Sequence, residues 1–336
     1  MTKGRRQAPR APARRARLFD AIQRVLEDFP AFTECGTGIR LRPYQVEAGQ
    51  AILESIRLRR GDTFVVMMSR QAGKDELCAD LKAYLLARFL NHELGIVEVN
   101  PTYKPQTVQA IDRLDRRLQA NPLTRPHWRK RSDFIRLLGK ARVSFLSGDA
   151  QASVLGATAS LLLIVNEAQD IRPAVYDHRF APMAASTNAT RVFLGTAWRG
   201  DTLLARELRA ALARQEQDGR RRLFRYDADD VRAAAPDYGA FVDGEIRRLG
   251  RDHPLVRSQY FNEELDAAGG MFDERRRALI FGAGAPGRAA APPPAAAGRR
   301  LFAFCIDVGG MDEKAGLRVD EMENAGRDST TLSVIE

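Results

Sequence analysis

Residues 161–165, Leu-Leu-Leu-Ile-Val, are apolar at every position and end abruptly in Asn166-Glu167-Ala168-Gln169-Asp170. A strand that alternates in polarity covers a core with one face, whereas a strand apolar throughout is buried on both. Such strands belong to parallel sheets, because parallel neighbours need helical crossovers that cover the sheet's two faces. The rest of the chain repeats the pattern. Residues 63–68, 95–99, 142–146, 191–195 and 222–226 read as further strands. Residues 18–29, 44–57 and 110–118 read as helices, with apolar side chains at three- and four-residue spacing. Leu77, Leu81, Tyr84 and Leu85 mark one more, behind residues 69–74. The expectation is an α/β fold with a mainly parallel central sheet and its ligand site at the strands' carboxyl ends.

A chain of 336 residues suggests about two domains. Apolar residues make up 44% and charged residues 29%, which excludes wholesale disorder. The net charge of +10 is unevenly placed. Lys3, Arg5, Arg6, Arg10, Arg14, Arg15 and Arg17 lie in a stretch without an acid, so the remainder is only mildly basic. Residues 1–17 read as a basic disordered tail, either merely solvated or attracting phosphate. No apolar segment follows those charges as a signal peptide requires, and no apolar run is long enough to span a bilayer. Cys35, Cys78 and Cys305 are too widely spaced for a zinc site or a disulfide framework. They indicate a reducing compartment and a soluble intracellular protein.

Residues 282–298 are almost wholly Gly, Ala and Pro and read as a partly stiff spacer. Beyond them, 301–308 and 330–335 read as two strands, too few to form a domain alone. The organisation is therefore a tail at 1–17, an α/β domain at 18–275, a linker at 276–300 and the start of a second domain at 301–336.

The chemistry concentrates at Ser69-Arg70-Gln71-Ala72-Gly73-Lys74, between a buried strand and an amphipathic helix. A loop that wraps a triphosphate needs inward backbone N–H groups, a permissive Gly, a Lys for the β and γ oxygens, and a helix N-terminus behind it. Gly73 supplies the backbone freedom, Lys74 the charge, and the helix from Asp75 the positive dipole end. In the usual G-x-x-x-x-G-K-[ST] pattern the first Gly is here Met68 and the final hydroxyl is Asp75. The second signal is the acidic end of 161–165. Polar groups closing a buried strand are costly unless they meet a cation or polarise a water. Asn166 stands where a Walker B strand places its metal-associated carboxylate, and Glu167 would be the base for the hydrolytic water. These residues predict an ATP site with Mg2+. Gln45 is placed to bond the adenine edge with Tyr44 or Arg42 on the ring, and Thr196, after residues 191–195, to sense the γ-phosphate.

In this order the residues resemble the large terminase subunit of tailed bacteriophages. The resemblance rests on Leu41-Arg42-Pro43-Tyr44-Gln45, Ser69 to Lys74, Pro101-Thr102-Tyr103, Gly156-Ala157-Thr158-Ala159-Ser160 leading into Glu167-Ala168-Gln169-Asp170, and Gly195-Thr196. It continues through Gln259-Tyr260-Phe261-Asn262-Glu263, Gly270-Met271-Phe272 and Ile306-Asp307-Val308-Gly309-Gly310. It implies an additional-strand P-loop ATPase followed by a ribonuclease-H-like nuclease, truncated here. Such a motor translocates double-stranded DNA into the procapsid, working with a portal protein and a small terminase subunit. It acts as a homo-oligomeric ring in the host cytoplasm, without a membrane. The resemblance makes Arg70 a phosphate contact and Asp307 a nuclease metal ligand for Mg2+ or Mn2+, with partner carboxylates expected past residue 336. Asp328 reads as a turn residue.

Asp75 and Asn166 depart from the family pattern. One reading keeps a negative charge near magnesium but moves it from the strand end to the helix start; Glu76 is a rival for that role. A dead ATPase, acting as a non-hydrolysing nucleotide-binding scaffold, is the alternative, and a helicase-like or repair ATPase is another. Arg113, Arg116, Arg117, Arg125, Arg129, Lys130 and Arg131, with Trp128, are candidates for sequence-independent contacts to the DNA backbone. The competing expectation is that Asp112 and Asp115 pair with neighbouring arginines on a solvated helix.

Overall fold

The computed structural model describes residues 11–149, 157–265, 303–307 and 331–335, with side chains for 15–149 and 157–265. Lys3, Arg5, Arg6, Arg10, Gly156, Gly270, Met271, Phe272, the Gly/Ala/Pro stretch and Asp328 lie outside the described residues. The chain divides into two units, Met1–Asp273 and Glu274–Glu336.

The first unit opens with α1 (Ala11–Glu27), α2 (Phe29–Thr37) and α3 (Pro43–Arg57). α1 begins inside the stretch expected as disordered tail, because Ala and Arg are strong helix formers and no Gly or Pro follows Pro12. The Asp28 carboxylate caps α2 by accepting from the Ala31 N–H, and Gly38 ends it with φ 72°, a left-handed value that suits Gly. Next come β1 (Thr63–Met68), α4 (Lys74–Arg88), β2 (Gly95–Asn100), α5 (Val108–Ala120), β3 (Trp128–Ser132), β4 (Ile135–Leu138), β5 (Ala141–Ser147) and β6 (Leu162–Val165). They are followed by α6 (Pro173–Val175), β7 (Thr190–Gly195), α7 (Leu203–Asp218), β8 (Leu223–Tyr226), α8 (Ala228–Ala234), α9 (Pro236–Leu249) and α10 (Pro254–Phe261).

Eight strands form one sheet in the order β3-β4-β5-β2-β6-β7-β1-β8. The six from β5 to β8 are parallel, and β3, β4 and β5 form an antiparallel meander at one edge. β1 and β6 are buried at every position, as their unbroken apolar sequence requires. Alternate residues face opposite layers. Phe64, Val66, Met68, Ile96, Leu162 and Ile164 pack under α2, α3, α4 and α5. Val65, Met67, Val97, Val99, Leu163 and Val165 pack against α7 and residues 176–184. Each large side chain so buried contributes roughly 1.5–3 kcal/mol of transfer free energy. β3 and β4 are the strands the sequence pattern hides, because charged residues occupy the exposed rim of β3.

Two features of the sheet position the site. β7 lies between β1 and β6, which is the inserted strand of the additional-strand arrangement. With strands about 4.8 Å apart, the ends of β1 and β6 stand roughly 10 Å from each other, a gap that a Lys and a Glu side chain can close. In addition, α8, α9 and α10 form a small lobe around Val242, Val256, Tyr260 and Phe261, and this lobe holds the loop after β1.

In the second unit β9 (Ala303–Asp307) pairs antiparallel with β10 (Thr331–Ile335). Asp307 closes β9; its side chain lies outside the described residues.

Candidate active site

The turn from β1 into α4 is held on two sides, and its carbonyls are turned outward. The Tyr44 hydroxyl donates to the Ala72 carbonyl at 2.7 Å, the Arg42 guanidinium donates to Tyr44 at 2.8 Å, and the Gln45 amide donates to the Gly73 carbonyl at 2.8 Å. From the small lobe, the Arg70 N–H donates to the Gln259 carbonyl at 2.7 Å, and the Tyr238 hydroxyl donates to the Arg70 carbonyl at 2.8 Å. Ser69 meets the same Tyr238 hydroxyl at 2.7 Å. With these carbonyls satisfied from outside, the N–H groups of the first turn of α4 have no intrahelical acceptor and remain available for an anion. Gly73 has φ +93°, and a Cβ there would meet the Gln45 Nε2 at 2.6 Å, so only Gly fits.

In this structure Gln45 and Tyr44, expected at the nucleotide base, contact the loop itself. The Gln45 Oε1 accepts from the Arg42 N–H while its Nε2 donates to the Gly73 carbonyl, so both ends of the amide serve the loop. The Tyr44 ring packs on Tyr226, with centroids 5.2 Å apart. Both residues, like Arg42, brace the loop. Buried loop carbonyls need donors, and these are the donors within reach.

Across the sheet, the Lys74 Nζ lies 2.8 Å from the Glu167 Oε1. The other oxygen of Glu167 accepts from the Gln169 Nε2 at 2.7 Å. Glu167 itself adopts φ 45°, a left-handed conformation that is costly for a residue with a side chain and is typical of functional sites. Burial pushes its carboxyl up, but Lys74, the Gln169 hydrogen bond and Arg70 outweigh burial and hold it below the ordinary Glu value. Glu167 is thus a carboxylate with both oxygens engaged. Gln169 is packed so closely on β7 that a Cβ on Gly195 would meet its Oε1 at 2.1 Å. Thr196, the next residue, is buried at the end of the strand between β1 and β6.

The metal-side pair is equally close. The Asn166 Nδ2 donates to the Asp75 Oδ1 at 3.1 Å and to the Asn100 Oδ1 at 3.1 Å, while the Asn166 Oδ1 is buried without a partner. One carboxylate beside an unpaired amide oxygen suits magnesium, which keeps much of its water and takes one or two protein carboxylates together with substrate phosphates. Glu76 is turned away, to Arg113 at 2.7 Å and to Arg117. Arg117 also pairs with Asp80 at 2.7 Å. Arg113 and Arg117 are therefore committed to α4 and are removed from the DNA-facing candidates. Asp115 pairs with Arg136 at 2.6 Å and Lys130 at 3.3 Å, whereas Arg116, Arg125, Arg129 and Arg131 are exposed. Among the described residues no group of three or more His, Cys, Asp or Glu side chains is set to hold a metal by itself.

The structure thus brings Lys74, Asp75, Asn166 and Glu167 together at the carboxyl ends of β1 and β6, with the 69–73 loop above them. Sequence reasoning missed Tyr238, Gln259 and Gln169 as parts of this site. It also missed Asn100, although a polar residue closing a buried strand is the signal already used for Asn166.

A mostly parallel sheet, a strand–loop–helix turn at the head of α4 and a facing carboxylate across an inserted strand are consistent with a P-loop NTPase-like fold for this unit. Its fold is that of bacteriophage large terminases. Similar solved structures include the HK97 bacteriophage large terminase, at 18% identity and TM-score 0.58 over 71% of this chain and 55% of that one. Another is the large terminase of a thermophilic bacteriophage, at 12% identity and TM-score 0.51, covering 70% of this chain and 57% of that one. An ADP complex of that thermophilic phage protein matches at 12% identity and TM-score 0.50, with the same coverage. The chain therefore spans little more than half the length of these proteins. No protein-family model and no curated protein matches the sequence significantly. No helix among the described residues is long and apolar enough to cross a membrane.

Proposed function

We propose that this chain hydrolyses ATP as the motor of a DNA-packaging terminase, driving double-stranded viral DNA into a procapsid. The contact between Lys74 and Glu167 carries the proposal. A lysine at the head of α4 and a carboxylate at the end of β6, across the inserted strand from β1, serve a triphosphate in sequence: one grips the anion and the other primes its attacker.

In the nucleotide-free protein the two side chains neutralise each other. An incoming triphosphate offers Lys74 a stronger partner, and the N–H groups of the first turn of α4 and the Arg70 side chain add to the grip on its oxygens. Glu167, released, accepts a proton from the attacking water. The water oxygen bonds to the γ-phosphorus, the bond from phosphorus to the β,γ-bridging oxygen breaks, and ADP and phosphate result. Asp75 and Asn166 would hold magnesium bound with the nucleotide through its water shell, and the ion would supply charge neutralisation to the phosphates. Gln169 ties Glu167 to β7, so Thr196 stands where the presence of a γ-phosphate would be felt.

DNA would be gripped through its backbone by Arg116, Arg125, Arg129 and Arg131 around the β3–β4 edge, with binding that weakens steeply with salt. The proposal extends to a portal protein, a small terminase subunit and a homo-oligomeric ring in the host cytoplasm. It also extends to an Mg2+- or Mn2+-dependent, ribonuclease-H-like endonuclease using Asp307, with activity expected in a longer protein. The test is steady-state ATP hydrolysis by wild type and Glu167→Gln. Wild-type turnover that collapses in the variant supports the motor. Equally slow proteins would establish a non-hydrolysing scaffold instead.

A further inference from the structure

Beneath the metal-side pair lies a fully buried polar chain that the site as described does not use. Lys82 of α4 forms an ion pair with Glu98 of β2, their side chains only 2% and 1% exposed, and Lys82 also stands 4.8 Å from the centre of the Phe145 ring. The Glu98 Oε1 accepts from the Asn100 Nδ2 at 3.3 Å, and the Asn100 Oδ1 accepts from the Asn166 Nδ2 at 3.1 Å. Asn166 then donates to Asp75. Two charges in a core cost several kcal/mol each to desolvate, and apolar residues of like size would pack there without that cost. Stability does not explain the pair.

We infer that Glu98 and Asn100 are positioning residues that fix the amide of Asn166, so that its oxygen faces the cation accompanying the nucleotide. This inference rests on the ATPase reading above. The Glu98 carboxylate, paired with Lys82, presents its Oε1 as an acceptor, and Asn100 turns its NH2 toward it. The Asn100 oxygen is thereby aimed at Asn166. Asn166 now faces two acceptors, the Asn100 amide oxygen and the Asp75 carboxylate, and must present its NH2 to both. A flipped Asn166 would set its oxygen against both. Its Oδ1 is therefore left buried and unpartnered, on an amide whose NH2 is bonded to the Asp75 carboxylate. A neutral amide in the place of a metal-side carboxylate is useful only in this one orientation.

The test measures Mn2+ binding to the ADP-saturated 336-residue protein by electron paramagnetic resonance of free Mn2+, alongside ADP affinity in EDTA. Asn100→Leu removes the acceptor and frees the Asn166 amide to turn. Its Mn2+ affinity should fall by about tenfold or more, as for other groups that orient metal ligands, while metal-free ADP affinity stays within about twofold. Asn100→Asp keeps an acceptor toward Asn166 but repels Glu98. It should lose thermal stability yet bind Mn2+ at least as tightly as wild type. Unchanged Mn2+ affinity in Asn100→Leu, or a loss in Asn100→Asp, overturns the inference. If Asn100→Leu does not fold, Asn100→Asp decides alone by the same criterion. A wild type that binds no ADP instead overturns the ATPase reading itself.

Discussion

Replacing Glu167 by Gln should tighten nucleotide binding while abolishing turnover. The side chain of Lys74 is 9% exposed and that of Glu167 25%, with 2.8 Å between their charged atoms. At an effective dielectric constant near 20, two unit charges that close attract by about 6 kcal/mol, which is a ceiling before desolvation is counted. Hydrogen bonds between charged groups retain about 1.5–3 kcal/mol net. A triphosphate entering the loop must displace this contact. The substituted amide can still accept a hydrogen bond from Lys74 but offers no charge, so about half of that net value should reappear as affinity. The expected gain is roughly four- to thirteenfold, and removing a negative charge facing the triphosphate acts in the same direction. Turnover should fall about 10²- to 10⁴-fold through loss of the general base. The assay is titration of a fluorescent ADP analogue without divalent metal, paired with phosphate release from ATP. Affinity that is unchanged or weaker in Glu167→Gln would refute the idea that Lys74 is held by Glu167 before nucleotide arrives.

Three further outcomes follow from the same geometry. Asp75→Asn should abolish Mg-ATP turnover, and Asp75→Ser combined with Asn166→Asp should restore it; phosphate release measures both, and intact turnover in Asp75→Asn contradicts the relocated charge. Tyr44→Phe deletes the donor to the Ala72 carbonyl. It should cost about 1 kcal/mol of stability in a denaturant titration and raise KM for ATP, and an unchanged KM would show that the loop does not depend on this brace. Burial pushes the Asp80 carboxyl up to about 6 against the pull of Arg117. A folded value above the unfolded one means that the stabilisation is present below about pH 3.8 and is lost as pH rises through 6. Asp80→Asn should therefore flatten the dependence of melting temperature on pH between about 4 and 7; an unaltered slope would refute the assignment.

Six of the eight strands in the main sheet are legible as largely apolar runs, because the inner parallel strands are covered on both faces and hold few polar residues. β3 and β4 are not, since an edge meander needs burial on one face only and Arg129, Lys130 and Arg131 read as loop. Lys74 is legible as the Lys after Gly73 between a buried strand and an amphipathic helix, and Glu167 because it follows a strand end where polarity changes abruptly. The braces are less so. Tyr238 and Gln259 reach the loop from helices far along the chain, and nothing local to either residue records that contact. Gln45 is conspicuous, but its partner is not: an amide near a nucleotide loop can serve the base or the loop, and only geometry decides. Glu98 is the overlooked signal. An acid inside the run Gly95-Ile96-Val97-Glu98-Val99-Asn100 demands a buried partner, and Lys82 lies on the helix that follows the loop.

The most direct test of the account is a structure of this protein with magnesium and a non-hydrolysable ATP analogue. The account predicts the Lys74 ammonium on phosphate oxygens, the Glu167 carboxylate released toward a water beside the γ-phosphate, and Asp75 with Asn166 facing the metal. Phosphates bound elsewhere, with Lys74 still paired to Glu167, would contradict it.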